Sequence, residues 1–222
     1  MLSASNCLSW ICGITNTSIE DALNNKAGFV ISENILPKYE EKTIKVDDCL
    51  ETLTLIGKYK RSIYKGKVIG ITGSVGKTST KEQIKFFLNF VYKTYSSIKS
   101  YNNNLGVSLS LANLDLNSSI AVLEIGTSNF GEIAELTKLV KPHIAIITNI
   151  GPVHLKNFNN IRNVVKEKSD IFNYKYNPDL QSIIIPYYLK EENYISQKVN
   201  ENKNCKILSF GNDKKADIFI ND

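Results

Sequence analysis

Residues 69 to 79 read Ile69-Gly70-Ile71-Thr72-Gly73-Ser74-Val75-Gly76-Lys77-Thr78-Ser79, an apolar run, then a turn with two glycines, then Lys-Thr. The apolar run is typical of a buried strand, and the residues after the turn favour a helix. In this order, backbone N–H groups of the turn and of the helix N-terminus attract phosphate oxygens. Lys77 would reach the terminal phosphates, and the Thr78 hydroxyl would bind Mg²⁺. We therefore predict a nucleotide phosphate site, in preference to an ordinary glycine-rich turn, at Gly73, Ser74, Val75, Gly76, Lys77, Thr78 and Ser79.

One position departs from the usual phosphate-binding loop, in which a glycine stands five residues before Gly76. That position is Ile71 here, and the first glycine of the loop is Gly73, so the pattern shortens to Gly-x-x-Gly-Lys-Thr. The departure indicates a subfamily of such loops and not the loss of the site.

Apolar runs alternate with helical patterns along the rest of the chain, at intervals of about 20 to 40 residues. This alternation predicts βαβ units and hence an α/β fold, a mostly parallel sheet flanked by helices. The predicted strands are 68–72, 94–97, 121–125, 144–148, 183–186, 206–210 and 217–220, and the predicted helices are 77–91, 105–114, 132–139 and 161–174. Ligands bind beyond the carboxyl ends of such strands, where the polar motifs of this sequence lie.

The first 66 residues predict a smaller, partial α/β domain. Ser18 is a candidate cap for a short helix, with Asp21 three residues on. Two strands at 28–31 and 42–46 and a helix at 47–64 would follow. We thus divide the chain into a partial domain, 1–66, and a nucleotide-binding domain, 67–222. No helix pattern follows the last strand, so we expect the second domain to be incomplete at its C-terminal end.

Composition excludes several classes of protein. The chain has a net charge of +5, a hydrophobic fraction of 42% and a charged fraction of 22%, which are the proportions of a soluble globular protein. It contains no basic tract typical of nucleic-acid binding and no apolar run near the ~20 residues of a membrane span. The cysteines form no Cys-x-x-Cys pair, which favours reduced thiols in a cytoplasmic protein over a zinc site or disulfides. They are Cys7, Cys12, Cys49 and Cys205.

Two polar residues stand where buried strands end. Glu124 closes the apolar run Ala121-Val122-Leu123, and a carboxylate there is costly to bury unless it is paired or bound to metal. A magnesium ligand and a solvent-exposed strand end are the two interpretations, and we favour the first. His154 follows the strand at 144–148 in a loop at the same predicted edge, which favours a site role over an ordinary surface histidine.

Two further candidates are less distinctive. Asn102, Asn103 and Asn104 form a polar turn that could contact a ligand or cap the helix that follows. Lys168 is one of two lysines on an amphipathic helix, and its spacing alone predicts exposure to solvent.

Together these motifs resemble the central ATP-binding domain of the Mur ligases. The resemblance rests on the phosphate loop, on Asn102-Asn103-Asn104-Leu105-Gly106-Val107, on Glu124-Ile125-Gly126 with Gly131-Glu132-Ile133, on the segment from Asn149 to His154, and on Lys168-Ser169-Asp170-Ile171-Phe172. It is specific between residues 68 and 172 and diffuse elsewhere. The sequences of the asparagine and Glu-Ile-Gly motifs are most similar to those of the family members that add D-alanyl-D-alanine.

The resemblance implies an ATP-dependent ligase of peptidoglycan precursor synthesis. Such an enzyme joins D-alanyl-D-alanine to a UDP-N-acetylmuramoyl-tripeptide through an acyl phosphate. It implies Lys77, Lys168 and His154 as catalytic residues, Asn149 at the nucleotide, and Thr78, Glu124, His154 and Lys168 around magnesium, with Lys168 as a carbamylated lysine. It also implies a substrate cleft with Asn102, Asn103, Asn104, Thr127 and Ser128.

The resemblance also implies missing parts, because the family has three domains. We expect a shortened N-terminal domain and no C-terminal domain, so that ligation by this chain alone is doubtful. Three alternatives remain open: another Mur-type ligase or a folylpolyglutamate synthetase relative, a non-catalytic nucleotide-binding remnant, and a subunit that needs a separately encoded C-terminal partner.

Overall fold

A seven-stranded sheet, parallel throughout, forms the centre of the protein in the computed structural model, which describes residues 18–190, 193–201 and 205–219. The strands lie in the order β4-β5-β3-β6-β7-β8-β9, with the strand that precedes the phosphate loop in the interior. A separate two-stranded parallel sheet pairs β1 with β2. The predicted α/β fold with a mostly parallel sheet is therefore confirmed.

The strands are β1 (Val30–Ser32), β2 (Thr43–Lys45), β3 (Lys67–Thr72), β4 (Thr94–Ser96), β5 (Ile120–Glu124), β6 (Ile144–Ile147), β7 (Ser182–Pro186), β8 (Lys206–Gly211) and β9 (Ile218–Phe219). The helices are α1 (Ile19–Asn24), α2 (Cys49–Ile63), α3 (Lys77–Leu88), α4 (Asn104–Ala112), α5 (Glu132–Val140), α6 (Leu155–Phe158), α7 (Ile161–Ser169) and α8 (Asn193–Asn200). Short 3₁₀ turns lie at Pro37–Lys42, Asp170–Phe172 and Tyr187–Leu189.

The strand order explains where the site lies. From β3 the chain crosses to β4 at one edge, returns through β5, and then continues on the other side of β3 with β6 and β7. The direction of winding changes beside β3, and an open parallel sheet has its ligand crevice at such a point, beyond the carboxyl ends of the strands. The phosphate loop leaves β3 at that end.

Helices cover the two faces of the sheet unequally. On one face, α4, α5 and α7 bury the main core, which includes Leu111, Leu123, Ile133, Ile147 and Phe172. On the other face, Ile84 and Leu88 of α3 pack on a smaller cluster around Ile71. Beside α3, a groove of about 410 Å³ is lined by Ile144, Ile146 and Ile184, of which Ile144 and Ile184 are only partly buried.

Two helices and the two-stranded sheet precede β3, and the division of the chain at residue 66 stays a prediction. Ser18 caps α1, because its hydroxyl accepts the Asp21 N–H while the Asp21 carboxylate accepts from the Ser18 backbone. Helix α2 begins after its cap, Asp48, and packs along α4. The approach is close, since a Cβ on Gly57 would lie 2.9 Å from the Ser108 carbonyl oxygen.

Several predicted element bounds were wrong by a few residues. Helix α3 ends at Leu88 and not at 91, because the Asn89 side chain accepts the Thr94 N–H and turns the chain toward β4. Helix α7 ends at Ser169, and a 3₁₀ turn replaces the predicted extension to 174. Helices α6 and α8 had no sequence prediction. Residues 1–17, including Cys7 and Cys12, and residue 220 of the last predicted strand lie outside the described residues.

Two other sequence predictions can be compared with the structure. Cys49 and Cys205, the cysteines within the described residues, are both reduced. Across the same residues, no helix combines the length and the hydropathy that a membrane span requires.

A histidine links β3 and β6 at the end of the sheet opposite the phosphate loop. The Nδ1 atom of the His143 ring accepts the backbone N–H of Val68 at 2.9 Å. The backbone N–H of His143 in turn donates to the Val68 carbonyl. Partial burial lowers the pKa of His143, and the nearby cations Arg61 and Lys67 lower it further, against a smaller opposing effect of Asp179.

We predict that His143 makes the fold sensitive to mild acid. The neutral ring accepts a hydrogen bond that the protonated ring cannot, so its contribution is complete above the ordinary histidine pKa of about 6.5 and decreases as the pH falls below it. We would measure the free energy of unfolding in urea at pH 7.5 and at pH 5. It should decrease between the two pH values in the wild type, and it should decrease less in His143→Gln. An equal loss in both proteins would contradict the prediction.

Candidate functional site

The phosphate loop has the backbone geometry that its glycines allow. Gly76 precedes α3 with a φ of 82°, in the left-handed region that favours glycine. A Cβ on Gly73 would overlap the Thr148 hydroxyl. The Lys77 Nζ atom donates to the Gly73 carbonyl at 2.8 Å, so the side chain folds back over its own loop. Ser74, Val75 and Ser79 lie on this loop and on the first turn of α3, with Val75 and Ser79 exposed.

The loop after β6 holds the phosphate loop in place. The Ser74 N–H donates to the Asn149 carbonyl, and the Ser74 hydroxyl bonds to both the backbone N–H and the carbonyl of Gly151. The Thr148 hydroxyl donates to the Val75 carbonyl at 2.6 Å. Asn149 therefore adjoins the phosphate loop, as its predicted place at the nucleotide requires.

Glu124 is buried at the carboxyl end of β5, next to the phosphate loop. Its side chain is 1% exposed, and each carboxylate oxygen accepts one hydrogen bond. Thr78 Oγ1 donates to Oε2 at 2.8 Å, and Asn102 Nδ2 donates to Oε1 at 2.7 Å. The structure thus brings together three residues that the sequence selected separately.

Lys168 is buried, and the prediction of solvent exposure from its helical spacing was wrong. Its side chain is 2% exposed, because α7 packs that face against the core. The pKa of Lys168 is lowered to about 8, mainly by burial and further by the nearby Lys77, against the opposing effect of Glu167. Burial also lowers the pKa of Lys77, against the attraction of Glu124. Within the described residues, no hydrogen bond or ion pair engages the Lys168 amine.

Glu167, the neighbour of Lys168, is a structural residue that the sequence analysis missed. It is 2% exposed and accepts the N–H groups of Gly131 and Ile133 at 2.8 Å each, together with the Thr127 hydroxyl. These bonds satisfy the N-terminus of α5 with a carboxylate from a distant helix. Only a long-range contact identifies this role, so no local sequence signal could have found it.

The remaining predicted substrate residues lie around one cavity or beside it. Asn103 caps α4 by accepting the Gly106 N–H, which confirms the capping alternative for that residue. Asn103 and Asn104 line a cavity of about 640 Å³ with Glu132 and Phe130. Thr127 and Ser128 lie in the loop before α5, where the Glu132 carboxylate accepts the Ser128 N–H.

His154 lies apart from these contacts. It is exposed, has a φ of 51° and precedes the short helix α6. Over the residues that the structure describes, no hydrogen bond connects its side chain with Glu124, and no group of three or more His, Cys, Asp or Glu side chains could hold a metal. The role of His154 stays a prediction.

The donor set at Glu124 fits a hard divalent cation. Magnesium prefers oxygen ligands and keeps several waters, so that one or two protein oxygens together with phosphate oxygens suffice. The Glu124 carboxylate and the Thr78 hydroxyl supply such oxygens beside the phosphate loop, and both keep free lone pairs. These residues could hold the ion without a cluster of three carboxylates.

Comparisons with known proteins match most of the chain to one family. Residues 71–222 match the family model described as the Mur ligase middle domain. The UDP-N-acetylmuramoyl-tripeptide–D-alanyl-D-alanine ligase of Rickettsia prowazekii is 37% identical over 155 residues, which are 69% of this chain and 34% of that protein. The chain thus spans about a third of the length of this relative.

Solved structures show the same fold over most of the chain. A MurF structure from Acinetobacter baumannii has a TM-score of 0.74 and 31% identity, and the match covers 90% of this chain and 43% of the other. The MurF ligase from Thermotoga maritima, in complex with ADP, has a TM-score of 0.74 and 27% identity over 92% of this chain and 46% of its own. Escherichia coli FolC, at 16% identity and a TM-score of 0.53, shares the fold alone.

We predict that Glu167→Ala destabilises the fold by about 2 kcal/mol, because it leaves the buried N–H of Ile133 and the N–H of the cap residue Gly131 without an acceptor. Urea unfolding would measure the change. The matched control is Glu135→Ala on α5, an exposed residue whose ion pair with Lys138 is worth at most about 1 kcal/mol. Equal losses in the two variants would contradict the assigned role of Glu167.

Proposed function

The chain belongs to the Mur ligase family, and we propose that it carries the ATP site of a ligase that adds D-alanyl-D-alanine to a UDP-N-acetylmuramoyl-tripeptide. The identities with named relatives support this member of the family, and the site geometry supports the nucleotide. The relatives are more than twice as long, so the proposal covers this chain as the ATP-binding part of such an enzyme.

One observation supports the proposal above the others: the Thr78, Glu124 and Asn102 contact beside the phosphate loop. An ordinary strand end would leave its carboxylate in water. Here the carboxylate is buried and shares a hydrogen bond with the residue that binds Mg²⁺ in phosphate loops of this type. Magnesium at this place would neutralise charge on the transferring phosphoryl group.

The residues of the site have distinct proposed roles. The loop from Gly73 to Ser79 would bind the phosphates through its N–H groups, Lys77 would turn from the Gly73 carbonyl toward the terminal phosphate, and Asn149 would contact the nucleotide. In the first step, a carboxylate oxygen of the tripeptide attacks the γ-phosphorus and ADP leaves. In the second, the dipeptide amine attacks the acyl carbon, phosphate leaves and the amine loses a proton.

Lys168 has the chemistry that carbamylation requires. The neutral amine attacks CO₂ and releases one proton, so a cationic side chain becomes an anionic one. A buried lysine with a pKa near 8 and an amine without a partner in the described chain suits this reaction. The carbamate would orient magnesium and phosphate, and His154 is proposed as a further metal ligand.

The proposal includes the substrate cleft at the cavity of Asn104 and Glu132, with Asn102, Asn103, Thr127 and Ser128 as its polar residues. It also includes a cytoplasmic location and the need for a C-terminal domain, encoded with this chain or separately, to complete ligation. A folylpolyglutamate synthetase is less well supported, because the likeness to FolC extends to the fold alone. A non-catalytic nucleotide-binding protein would keep the same loop and is distinguished by reconstitution of ligation.

We predict saturable, Mg²⁺-dependent ATP binding by the chain, and we expect Lys77→Ala to weaken it about tenfold to a hundredfold through the loss of charge-assisted bonds to phosphate. Isothermal titration calorimetry measures the affinity. Lys85→Ala, on the same helix, is the matched control and should bind as the wild type does. Absence of binding by the folded wild-type chain would refute the nucleotide site.

We also predict a carbamate on Lys168. In ¹³C-labelled bicarbonate, the carbon NMR spectrum should contain one carbamate resonance that Lys168→Met removes and Lys166→Met keeps. The resonance should weaken as the pH falls from 9 to 7, because protonation at a pKa of about 8 removes the reactive amine. A spectrum without this resonance at pH 9 would contradict the carbamate.

A further inference from the structure

A second buried lysine lies on the helix that follows the phosphate loop. Lys81 is 0% exposed and stands one turn after Thr78 on α3. Its Nζ atom donates to the Ser97 carbonyl at 2.9 Å and to the Lys99 carbonyl, and it pairs with the Glu82 carboxylate at 3.1 Å. An ammonium group has three donors, so each has an acceptor here.

Both carbonyls belong to the segment from residue 97 to residue 103, which joins β4 to α4. This segment carries Asn102, whose amide donates to Glu124, and the Ser97 hydroxyl accepts the Glu124 N–H at 3.4 Å. Lys99 has a φ of 50°, a left-handed conformation that is strained for a residue with a Cβ. Lys81 bonds to the carbonyl of that residue, which offsets the strain.

We infer that Lys81 is a positioning residue, which sets the direction of the Glu124 carboxylate toward a divalent cation by holding the segment that carries Asn102. The inference rests on the proposed function for the identity of the cation. The Lys81 amine is enclosed by protein, and its partners among the described residues are Ser97, Lys99 and Glu82, so its effect on a ligand has to pass through other residues.

The geometry explains how helix α3 can position both hydrogen-bond donors of the Glu124 carboxylate. Thr78 and Lys81 are three residues apart on α3 and therefore lie on the same helix face. Thr78 donates to one oxygen of Glu124 directly. Asn102 donates to the other oxygen, and its segment is tied to α3 through Lys81. Loss of Lys81 would release the second bond and leave the first.

If Lys81 has this role, its loss should reduce the dependence of ADP affinity on Mg²⁺ and should leave ADP binding without metal unchanged. We would titrate ADP into the full chain by calorimetry, once with EDTA and once with Mg²⁺, and take the ratio of the two affinities. In Lys81→Met the ratio should fall about tenfold, the effect of a hydrogen bond to a charged group, while the affinity in EDTA stays within about twofold. Lys85→Met, a lysine on the same helix, should keep the wild-type ratio.

A general loss of folded protein would reduce both affinities together and leave the ratio unchanged, which would overturn the inference. The route is tested by Asn102→Ala, which should lower the ratio as Lys81→Met does, and the double variant should equal either single variant. Additive effects, or an unchanged ratio in Asn102→Ala, would refute a route through Asn102. If Lys81→Met does not fold, Asn102→Ala alone tests the route, and an unchanged ratio in that variant overturns the inference.

The outcomes separate this inference from the proposed function. If the wild-type chain binds ADP in neither buffer, the proposed function fails and the inference fails with it. If the wild-type chain binds with a clear Mg²⁺ dependence and the Lys81 variant shows the same ratio, only the role of Lys81 is wrong.

Discussion

The buried carboxylate of Glu124 is the constraint on which the arrangement of the site depends. A charged group at the end of a central strand loses several kcal/mol of hydration, and polar partners have to replace the lost water. Thr78 and Asn102 supply one hydrogen bond to each oxygen. Because the two donors come from α3 and from the segment before α4, the carboxylate connects the phosphate loop with the proposed substrate side of the crevice.

Two buried lysines, Lys81 and Lys168, have opposite environments, and their chemistry differs accordingly. Lys81 has an acceptor for each of its three donors, which suits a structural group. Lys168 has no acceptor in the described part of the chain, and burial together with Lys77 lowers its pKa to about 8. A buried amine that is easily neutralised is suited to react, whereas a fully bonded ammonium group is suited to hold backbone in place.

Two glutamates, Glu167 of α7 and Glu132 of α5, accept backbone N–H groups around the N-terminus of α5. Glu167 is buried and caps α5 from another helix. The Glu132 carboxylate accepts the N–H groups of Ser128 and Asn129 in the loop before its own helix. Between them they fix the segment from Thr127 to Gly131, which forms one wall of the cavity beside Asn104.

The sequence by itself determined the sheet, the phosphate loop and the candidates Lys77, Thr78 and Glu124, because local periodicity and short motifs encode strands, helices and glycine-dependent turns. It also predicted Asn102 as a site residue, although not its bond to Glu124. The tertiary structure alone decided that Lys168 and Lys81 are buried and that Glu167 caps α5. Helical spacing shows which residues share a face of a helix, but only packing decides which face is enclosed, and burial is what changes the chemistry of a charged side chain.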